Sequence, residues 1–522
     1  MYLVTARQMQ QIDRATIETF GLPGRLLMEN AGRGAAKILL KAFPDIRKRH
    51  VGVAAGKGNN GGDGFVIARC LSGAGVDVTV YLLAECSQIR GDAALNLNLL
   101  YPLNVPVIEI PDAAAFLREQ PGMRRCDLWV DALLGTGINA DVTGLYREVI
   151  EFVNAQSLPV LAVDIPSGLN ADTGRPCGVC IHAHTTVTFG WAKIGHMVFP
   201  GTAFTGRLEI VDIGIPAFVV QEVGPSFRLL TPEIVTPVLP SREPDSHKGA
   251  HGHAMLLAGA TGKAGAAALA GLGALRSGAG LVTLGIPGGI NSIIQSAIPE
   301  AMTLPFGDSH DEFLGDIMAD GIFKNLSGKK CLAIGPGIGI APETQVLVLK
   351  ILDHITIPIV VDADGLNALC GHLDILQRLK APAVLTPHPG EMSRLTGANV
   401  SDIQADRIEC ARWFATTYRV HLVLKGARTV IGHPDGTVDI NPTGNSGMAA
   451  GGMGDVLTGI IAGLLAQGLT PGAAACAGVY IHGKAADMLS SSVGPFGFLA
   501  SEIANMLPQV FRNMWSAAAI EG

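Results

Sequence analysis

Short, uninterrupted apolar segments recur along the whole chain, and most lead into glycine-rich or polar residues and then into a segment with helical spacing. In the first half they are residues 51–55, 77–83, 106–110, 127–134 and 159–164, and in the second half they begin near residues 254, 332, 360, 385 and 422. Continuous apolar segments of this length are typical of strands buried on both faces of a parallel sheet. The alternation therefore predicts an α/β fold in which helices cover both faces of each sheet.

The first helices are predicted by local signals rather than by the strand pattern. Thr5 and Gln8 have the spacing of a capping box, and Met9 and Ile12 follow on one apolar face. A second helix is predicted over residues 26–40. Both precede the first strand.

A proline-rich stretch divides the chain. Residues 215–245 contain six prolines after Ile215 and show no clean period, and a chain of 522 residues is too long for one ordinary core. We therefore predict a first domain over residues 1–215, a linker over 216–245 and a second domain over 246–515. An edge strand or a packed connector is the alternative for the linker.

Polar residues collect where the strands of the first domain end. The segment 56–64 is rich in glycine, and Asn59 and Asn60 at its centre offer amide donors and acceptors without charge. Asp131 and Asp164 end two strands that look buried, where a carboxylate is costly unless it is paired, liganded or functional. Because parallel strands end at one edge of a sheet, we expect a ligand site there. A simple asparagine–glycine turn and strand-end caps are the structural alternatives.

A second glycine-rich segment organises the other half of the chain. Residues 444–455 lead into the apolar segment 456–465, so a loop is predicted to enter a helix. Glycines allow close approach of a ligand, and the first turn of a helix offers unpaired N–H groups to an anion. Asp455 stands beside that anion site, where a carboxylate suits work on a hydroxyl proton better than phosphate binding. The alternative is that Asp455 only favours the helix start electrostatically.

Composition narrows the class of protein. With 48% hydrophobic residues, 16% charged residues and 66 glycines, the chain is typical of a compact α/β enzyme. Its net charge of −7 and the lack of a dense basic stripe argue against nucleic acid as a partner. Nine scattered cysteines, of which Cys177 and Cys180 form the one C-x-x-C, favour reduced thiols over a zinc site. Neither a signal peptide nor a membrane span is predicted, so we expect a soluble cytoplasmic protein.

Several segments of the first domain together resemble the epimerase domain of the NAD(P)H-hydrate repair system, also called the YjeF N-terminal domain. They are residues 28–32, 58–64, 130–137 and 163–168. The resemblance implies a Rossmann-like three-layer αβα sandwich and potassium bound by Asn60, Asp131 and Ser167. It also implies hydrate contacts from Asn59, Asn60, Gly61, Gly62, Asp63, Gly135, Thr136, Gly137, Asp141 and Asp164. Asp164 is the candidate for the proton transfers of epimerisation.

The second domain resembles the ribokinase-like superfamily, and within it the ADP- or ATP-dependent NAD(P)H-hydrate dehydratases. The resemblance rests on residues 388–392, 425–429 and 444–455, in that order. It implies a ribokinase-like αβα sandwich and hydrate contacts from Ala260, Gly337, His388 and Asp455. It implies adenine nucleotide contacts from Lys425, Gly426, Ala427, Arg428, Thr429 and Gly454. Asp364 and Glu391 are candidates for organising magnesium and phosphate, with capping an equal alternative for each.

The two resemblances together imply a bifunctional enzyme that restores NADH and NADPH from their hydrates, NADHX and NADPHX. Hydroxide is a poor leaving group, whereas a phosphorylated oxygen leaves easily once the adjacent ring nitrogen donates its lone pair, so ADP or ATP with Mg²⁺ would drive the dehydration. An epimerase would supply the required epimer, and a homo-oligomer is expected. The rival hypotheses are a ribokinase-like kinase for a vitamin precursor with an accessory N-terminal domain, and an N-terminal domain that binds without turnover.

Overall fold

The computed structural model describes residues 1–521, with side chains over residues 1–516. The chain forms two compact units, one of residues 2–227 and one that begins at Arg228 and includes Met1. The boundary lies within residues 216–245, where a short helix over Ala217–Val223 and a strand over Phe227–Leu229 give the connecting segment its own structure. None of the described helices is both long and apolar enough to span a membrane.

The N-terminal unit contains nine helices and eight strands among its described residues. The strands are β1 (Tyr2–Leu3), β2 (His50–Ala55), β3 (Asp77–Leu82), β4 (Val107–Glu109), β5 (Leu128–Ala132), β6 (Val160–Val163), β7 (Thr185–Phe189) and β8 (Arg207–Val211). The helices are α1 (Ala6–Arg14), α2 (Gly24–Ala42), α3 (Asn59–Gly73), α4 (Gly91–Asn98), α5 (Ala113–Met123), α6 (Gly144–Ala155), α7 (Ile194–Met197), α8 (Gly201–Thr205) and α9 (Ala217–Val223). The predicted capping box at Thr5 and Gln8 is confirmed at the start of α1.

Seven of these strands form one parallel sheet in the order β4-β3-β2-β5-β6-β7-β8. Buried apolar residues pack on both faces, with α2 and α3 on one side and α5 and α6 on the other, so the three-layer prediction is confirmed. The chain runs outward from β2 to β4 and then returns to β5 on the other side of β2. The carboxyl ends of β2 and β5 therefore border the crevice in which ligands of such sheets bind.

The C-terminal unit is larger. Its strands are β9 (Phe227–Leu229), β10 (His253–Leu257), β11 (Leu281–Pro287), β12 (Met302–Phe306), β13 (Cys331–Ile334), β14 (Ile359–Val361), β15 (Ala383–Leu385), β16 (His421–Leu424), β17 (Val430–Gly432) and β18 (Val438–Ile440). Its helices are α10 (Pro232–Val235), α11 (Ala264–Arg276), α12 (Asn291–Ala297), α13 (Ala319–Asn325), α14 (Pro342–His354), α15 (Asp364–Asn367), α16 (Asp374–Gln377), α17 (Pro389–Thr396), α18 (Val400–Ala405), α19 (Arg407–Tyr418), α20 (Met453–Ala466), α21 (Pro471–Ser492) and α22 (Ala500–Glu521).

The strands β12-β11-β10-β13-β14-β15-β16 are parallel in that order, and β17 and β18 extend the sheet as an antiparallel hairpin. The glycine- and alanine-rich helices α11 and α20 pack against each other within this unit. A Cβ added at Gly459 of α20 would lie 2.0 Å from the carbonyl oxygen of Ala270 in α11. The small residues are therefore required for close contact of two helix backbones, which explains segments whose composition alone resembles a membrane helix.

Candidate active sites

A cavity of about 660 Å³ opens at the carboxyl ends of the parallel strands in the N-terminal unit. Seven of the predicted hydrate contacts line it: Asn59, Asn60, Asp63, Gly135, Thr136, Gly137 and Asp164. Gly61 and Gly62 lie behind this surface in the first turns of α3, and Asp141 lies outside the lining, beside Gly178. The structure therefore brings most of the predicted residues to one place, and the cavity is their common feature.

The glycine-rich segment after β2 is shorter than the sequence predicts. Helix α3 begins at Asn59, so Gly61 and Gly62 are helical residues and not loop residues. The loop prediction over 56–64 is wrong in its second half. A Cβ added at Gly61 would lie 1.9 Å from the carbonyl oxygen of Gly56. Glycine is required because the helix start lies directly on the strand end, and this contact places Asn60 over the crevice.

Asp131, Ser167 and Asn60 form a buried polar cluster at the same edge. The backbone N–H of Ser167 donates to Asp131 Oδ2 over 2.8 Å, and the Ser167 hydroxyl donates to Asp131 Oδ1 over 2.6 Å. Burial raises the pKa of Asp131 to about 6, against the opposing effect of these hydrogen bonds. Asn60 Nδ2 donates to the carbonyl of Leu134, whereas Asn60 Oδ1 is buried and has no hydrogen-bond partner. An unsatisfied buried carbonyl oxygen is costly, so it marks a position where a cation or donor fits.

Asp164 follows β6 and is paired with a buried lysine. Lys193 Nζ lies 2.5 Å from Asp164 Oδ1, and the Thr188 hydroxyl donates to the same oxygen over 3.0 Å. Burial alone would raise the pKa of Asp164, but the charge and hydrogen bond of Lys193 outweigh it and lower the pKa overall. Asp164 also has a φ of +64°, which is rare for a residue with a Cβ. Such a conformation is tolerated where the surrounding contacts fix it.

Two further acids respond to the charge of Asp164. Burial, and next the neighbouring charges of Asp164 and Asp13, raise the pKa of Asp63 well above its usual range. Burial raises the pKa of Asp13 to about 6, where Lys193 opposes and Asp164 adds to the effect. The cavity therefore holds two carboxyl groups, Asp164 and Asp63, whose pKa values are shifted in opposite directions. Carboxyl groups with pKa values separated in this way divide naturally into a base and an acid.

The second site lies at the carboxyl ends of β14, β15 and β16 in the C-terminal unit. Lys425 Nζ donates to Asp362 Oδ1 over 2.9 Å and lies 3.6 Å from Glu391 Oε2. The Thr458 hydroxyl of α20 donates to the other oxygen of Asp362 over 2.6 Å. Asp362 is 1% exposed as a residue, so its charge is compensated inside the protein.

Asp455 lies in the first turn of α20, as predicted, and its pKa is raised to about 6. Burial is the largest cause, and the charge of Asp362 adds to it while Lys425 opposes it. Gly452 precedes the helix with a φ of +85°, a conformation suited to glycine. A Cβ added at Gly454 would lie 3.3 Å from Lys425 Nζ, so the start of the helix passes close to the lysine. Asp455 is therefore a carboxylate that can take up a proton near neutral pH.

The predicted magnesium candidates are occupied by protein groups. Glu391 completes a capping box, because its Oε2 accepts from the backbone N–H of His388 over 2.7 Å. His388 Nδ1 accepts in turn from the N–H groups of Gly390 and Glu391. Asp364 accepts from Lys263 Nζ over 3.0 Å and from the Gly339 N–H over 2.9 Å. Both carboxylates therefore have hydrogen-bond partners within the protein, and the capping alternative is confirmed for Glu391.

The loop over residues 425–429 is held by Arg407. Its guanidinium donates to the carbonyls of Ala427 and Leu424 over 2.5 and 2.8 Å. Gly426 has a φ of +146°, and Arg428 donates to the carbonyl of Pro442 over 2.7 Å. The Thr429 hydroxyl donates to the Gly426 carbonyl. The predicted nucleotide loop, which begins at Lys425, is thus held in one conformation by these hydrogen bonds.

Ala260 and Gly337, two further predicted hydrate contacts, lie on segments that contact each other. The N–H of Gly259 donates to the carbonyl of Pro336 over 2.8 Å, which joins the segment of Ala260 to that of Gly337. A Cβ added at Gly337, which has a φ of +65°, would lie 2.8 Å from the Cβ of Ala266. The segment of Gly337 therefore lies against the start of α11, closely enough to require glycine.

Sequence reasoning missed Lys193, Asp13 and the central place of Asp362. Lys193 follows β7 as Asp164 follows β6, so the strand-end argument applied to one more strand would have found it. Asp362 ends β14 and was passed over in favour of Asp364, which follows it. Asp13 stands on α1 with no motif around it, and nothing in the sequence indicates that this helix reaches the cavity.

Two family models match separate parts of the chain. Residues 24–195 match the family described as YjeF-related protein N-terminus, and residues 254–509 match the NAD(P)H-hydrate dehydratase family. The cavity with oppositely shifted carboxyl groups lies in the first region, and the glycine-framed helix start that carries Asp455 lies in the second. The chain is thus a two-domain α/β enzyme with one site in each domain.

Full-length relatives share both parts. The bifunctional NAD(P)H-hydrate repair enzyme of Moorella thermoacetica is 44% identical over 98% of this chain and 97% of its own length. The enzyme of the same description from Escherichia coli is 36% identical over 95% of this chain and 92% of its own. A solved ADP/ATP-dependent NAD(P)H-hydrate dehydratase from Bacillus subtilis is 36% identical and covers 55% of this chain and 98% of its own, with a TM-score of 0.48. The chain belongs to the family of bifunctional NAD(P)H-hydrate repair enzymes.

Proposed function

We propose that the cavity of the N-terminal unit epimerises the R and S forms of NADHX and NADPHX, with Asp164 as the proton acceptor and Asp63 as the proton donor. The carbon that is inverted bears a hydroxyl and a ring nitrogen. Expulsion of the oxygen and opening of the ring both need one proton removed and one supplied. The opposite pKa shifts support this division, because the pairing with Lys193 lowers the pKa of Asp164 while burial raises the pKa of Asp63.

Potassium is proposed at Asn60, Asp131 and Ser167. The unsatisfied Asn60 Oδ1 fits such an ion, since a carbonyl oxygen, a carboxylate and a hydroxyl are hard oxygen donors. When bound, the ion would offset the charge of Asp131. The Asn60 side chain would remain oriented by its bond to Leu134, and the cavity would keep its shape.

The potassium proposal is tested on ion binding as well as on rate. The melting temperature of the wild type and of Asn60→Leu should be measured in K⁺ and in the larger cation tetramethylammonium. K⁺ should stabilise the wild type and accelerate interconversion of the epimers, and both effects should be absent in Asn60→Leu. Equal responses of the two proteins to K⁺ would refute the site.

In the C-terminal unit, we propose that Asp455 deprotonates the substrate hydroxyl while the residues 451–454 hold the transferring phosphoryl group. The adenine nucleotide would lie against residues 425–429, and the hydrate against Ala260, Gly337 and His388. The raised pKa of Asp455 is the supporting observation, because a base works best when its pKa is close to the working pH. Elimination of phosphate then releases NADH or NADPH.

Magnesium is proposed to arrive with the phosphates of ADP or ATP, which it neutralises. Oxygens of Asp364 and Glu391 accept hydrogen bonds within the protein and keep further lone pairs for an ion or its water ligands. Magnesium commonly keeps water ligands and binds through substrate phosphates, so this arrangement needs no carboxylate cage. No step of the reaction is assigned to either residue.

The test of both activities uses mixed epimers of NADPHX with Mg²⁺, K⁺ and either ADP or ATP. Full conversion with one phosphate released per NADPH is expected, and Asp164→Asn should stop after the epimer that the C-terminal site accepts. A phosphorylated product without NADPH would instead support the kinase alternative. Family membership favours repair over that alternative.

A cytoplasmic homo-oligomer remains our proposal for location and assembly. All nine cysteines are unpaired thiols, as expected in a reducing compartment. Phe496 and Leu499 are 78% and 64% exposed, and they offer apolar surface that a second copy could cover. Light scattering on the full chain and on Phe496→Ser would test the assembly, since a mass unchanged from the monomer contradicts it.

A further inference from the structure

A third polar cluster lies in the C-terminal unit, away from the proposed dehydratase site. It consists of His433, Asp439 and Cys476, whose ligand atoms all lie within 4.8 Å of one another and whose side chains are buried. His433 follows β17, Asp439 lies in β18, and Cys476 lies in α21. Neither the sequence patterns nor the two proposed reactions account for these three residues.

The cluster is at the opposite edge of the sheet from the dehydratase site. His421 begins β16 and contacts His433, whereas Lys425 follows the other end of the same strand. Four residues of strand span roughly 13 Å. A ligand of the cluster would therefore not occupy the place proposed for hydrate or nucleotide.

The distances among the three ligand atoms come close to those of a metal site. His433 Nε2 and Asp439 Oδ2 are 2.8 Å apart, Cys476 Sγ is 3.3 Å from Asp439 Oδ2 and 3.8 Å from His433 Nε2. Tetrahedral zinc with bonds of 2.0–2.3 Å separates such atoms by roughly 3.4–3.6 Å. Each separation differs from this range by at most about 0.6 Å, which small side-chain rotations can supply.

We propose that His433, Asp439 and Cys476 bind one divalent transition-metal ion of the zinc class. Imidazole nitrogen, thiolate sulfur and carboxylate oxygen together favour zinc over magnesium or calcium, which prefer oxygen ligands alone. The thiolate and the carboxylate supply two negative charges, and the carboxylate shares its charge with Arg228.

The surroundings of the cluster resemble the outer shell of a metal site. His421 Nδ1 lies 2.8 Å from His433 Nδ1, so it can accept from that nitrogen and leave Nε2 free for a metal. Arg228 holds both oxygens of Asp439, from Nε over 2.8 Å and from an NH2 group over 2.7 Å. A carboxylate has about four lone-pair positions, so Oδ2 can bond Arg228 and a metal together.

Binding replaces two protons by the ion. The proton between His433 Nε2 and Asp439 Oδ2 moves to His433 Nδ1, and His421 changes tautomer so that its Nδ1 accepts. The Cys476 thiol loses its proton to the solvent as the metal–sulfur bond forms. One proton is therefore released per ion.

The site has a route for an ion to enter. A cavity of about 480 Å³ is lined by His421, His433, Asp439 and Cys476 together with apolar residues such as Leu230 and Ile234. A fourth ligand could be water from this cavity. The three protein ligands stand on a hairpin and a long helix, which hold them in place without a flexible loop.

The test is metal binding by the full chain after removal of metals with a chelator. Zn²⁺ should bind with a stoichiometry of one by equilibrium dialysis, and Co²⁺ should give a thiolate charge-transfer band. Cys476→Ser should weaken Zn²⁺ binding at least ~100-fold and abolish the band, since even outer partners of a metal contribute 10–100-fold.

The matched control removes another buried thiol of the same unit. Cys331 lies in β13, and its Sγ contacts the carbonyl of Ala462, so Cys331→Ser should bind Zn²⁺ as the wild type does. His433→Gln serves as a second ligand variant, with circular dichroism of both metal-free variants to establish folding. Absence of tight binding by the wild type would overturn the proposal, as would equal binding by the Cys476 and Cys331 variants.

Discussion

The two sites use the same parts and reach opposite electrostatic results. Each lies at the carboxyl edge of a parallel sheet and contains a lysine among carboxylates. In the N-terminal unit Lys193 pairs with Asp164 itself and lowers its pKa despite burial. In the C-terminal unit Lys425 pairs with Asp362, and the pKa of Asp455 rises to about 6. In the N-terminal unit the lysine therefore outweighs the burial of the acid with which it pairs, whereas in the C-terminal unit burial raises the pKa of Asp455 despite the opposing charge of Lys425.

Removal of the proposed base should give the largest difference between the sites. We expect Asp455→Asn to lower the dehydration rate by roughly 10³-fold, within the range usual for a general base. Epimer interconversion should stay unchanged, because the N-terminal site keeps all its groups. The measurement is NADPH formation from the accepted epimer, alongside the epimer ratio.

Asp353→Asn provides the control for this variant, because Asp353 is an exposed acid of α14. Dehydration by Asp455→Asn within threefold of this control would exclude Asp455 as the base.

Breaking the pair of the N-terminal site should cost stability. Lys193→Met leaves Asp164 buried without its partner, and loss of one member of a buried pair costs ~3–5 kcal/mol. The free energy of unfolding, measured in urea at pH 7, should fall by that amount in the N-terminal transition. The double variant Lys193→Met with Asp164→Asn should recover most of the loss. A single variant as stable as the wild type would show that the pair contributes little.

Removal of the proposed C-terminal base, Asp455, should increase the free energy of unfolding instead of lowering it. Because the pKa of Asp455 is higher in the folded protein than its usual 3.8, the folded state favours the protonated form. Its penalty is absent below about pH 4, grows between pH 4 and 6, and is complete above pH 6. Asp455→Asn should therefore stabilise the protein by up to ~3 kcal/mol at pH 8 and by almost nothing at pH 4. Urea unfolding at both pH values measures this, and a gain independent of pH would contradict the assignment.

The smallest expected difference between the two sites is in the pH dependence of the dehydration and epimerisation rates. Dehydration should fall about tenfold for each pH unit below about 6, because Asp455 must be ionised to act as base. Epimerisation should fall less steeply over this range, because the pKa of Asp164 is lowered, and its remaining pH dependence should follow Asp131 of the proposed potassium site. Profiles of kcat/KM for each reaction check this, and a common acidic limb would point to one shared group.

The fold was predictable from sequence because strand ends carry their chemistry locally. Apolar segments located the strands, and the acids at 131 and 164 led to the right edge of the sheet. The helix start at Asn59 was not predictable, because it depends on the contact of Gly61 with Gly56, which only the packed structure reveals. Asp13 was not predictable for a related reason, because nothing local in α1 indicates that this helix packs near Asp164. Lys193 follows β7 and was within reach of the strand-end argument.

The proposed metal site also depends on contacts that the sequence does not reveal. Cys177 and Cys180 are separated by only two residues, yet neither takes part in the described cluster of metal-ligating groups. His433, Asp439 and Cys476 lie up to 43 residues apart, and pairing of a hairpin with a helix brings them together. Spacing motifs detect ligands on one local element, whereas ligands from several elements become visible only after folding.

Arg407 lowers the conformational entropy of the proposed nucleotide loop, residues 425–429. One guanidinium fixes the carbonyls of residues 424 and 427, so the loop holds its shape before any ligand arrives. Ordering a flexible loop costs binding free energy for each immobilised residue. A loop that contacts within the protein already order avoids this cost. Binding of a nucleotide there is therefore favoured by preorganisation of the loop.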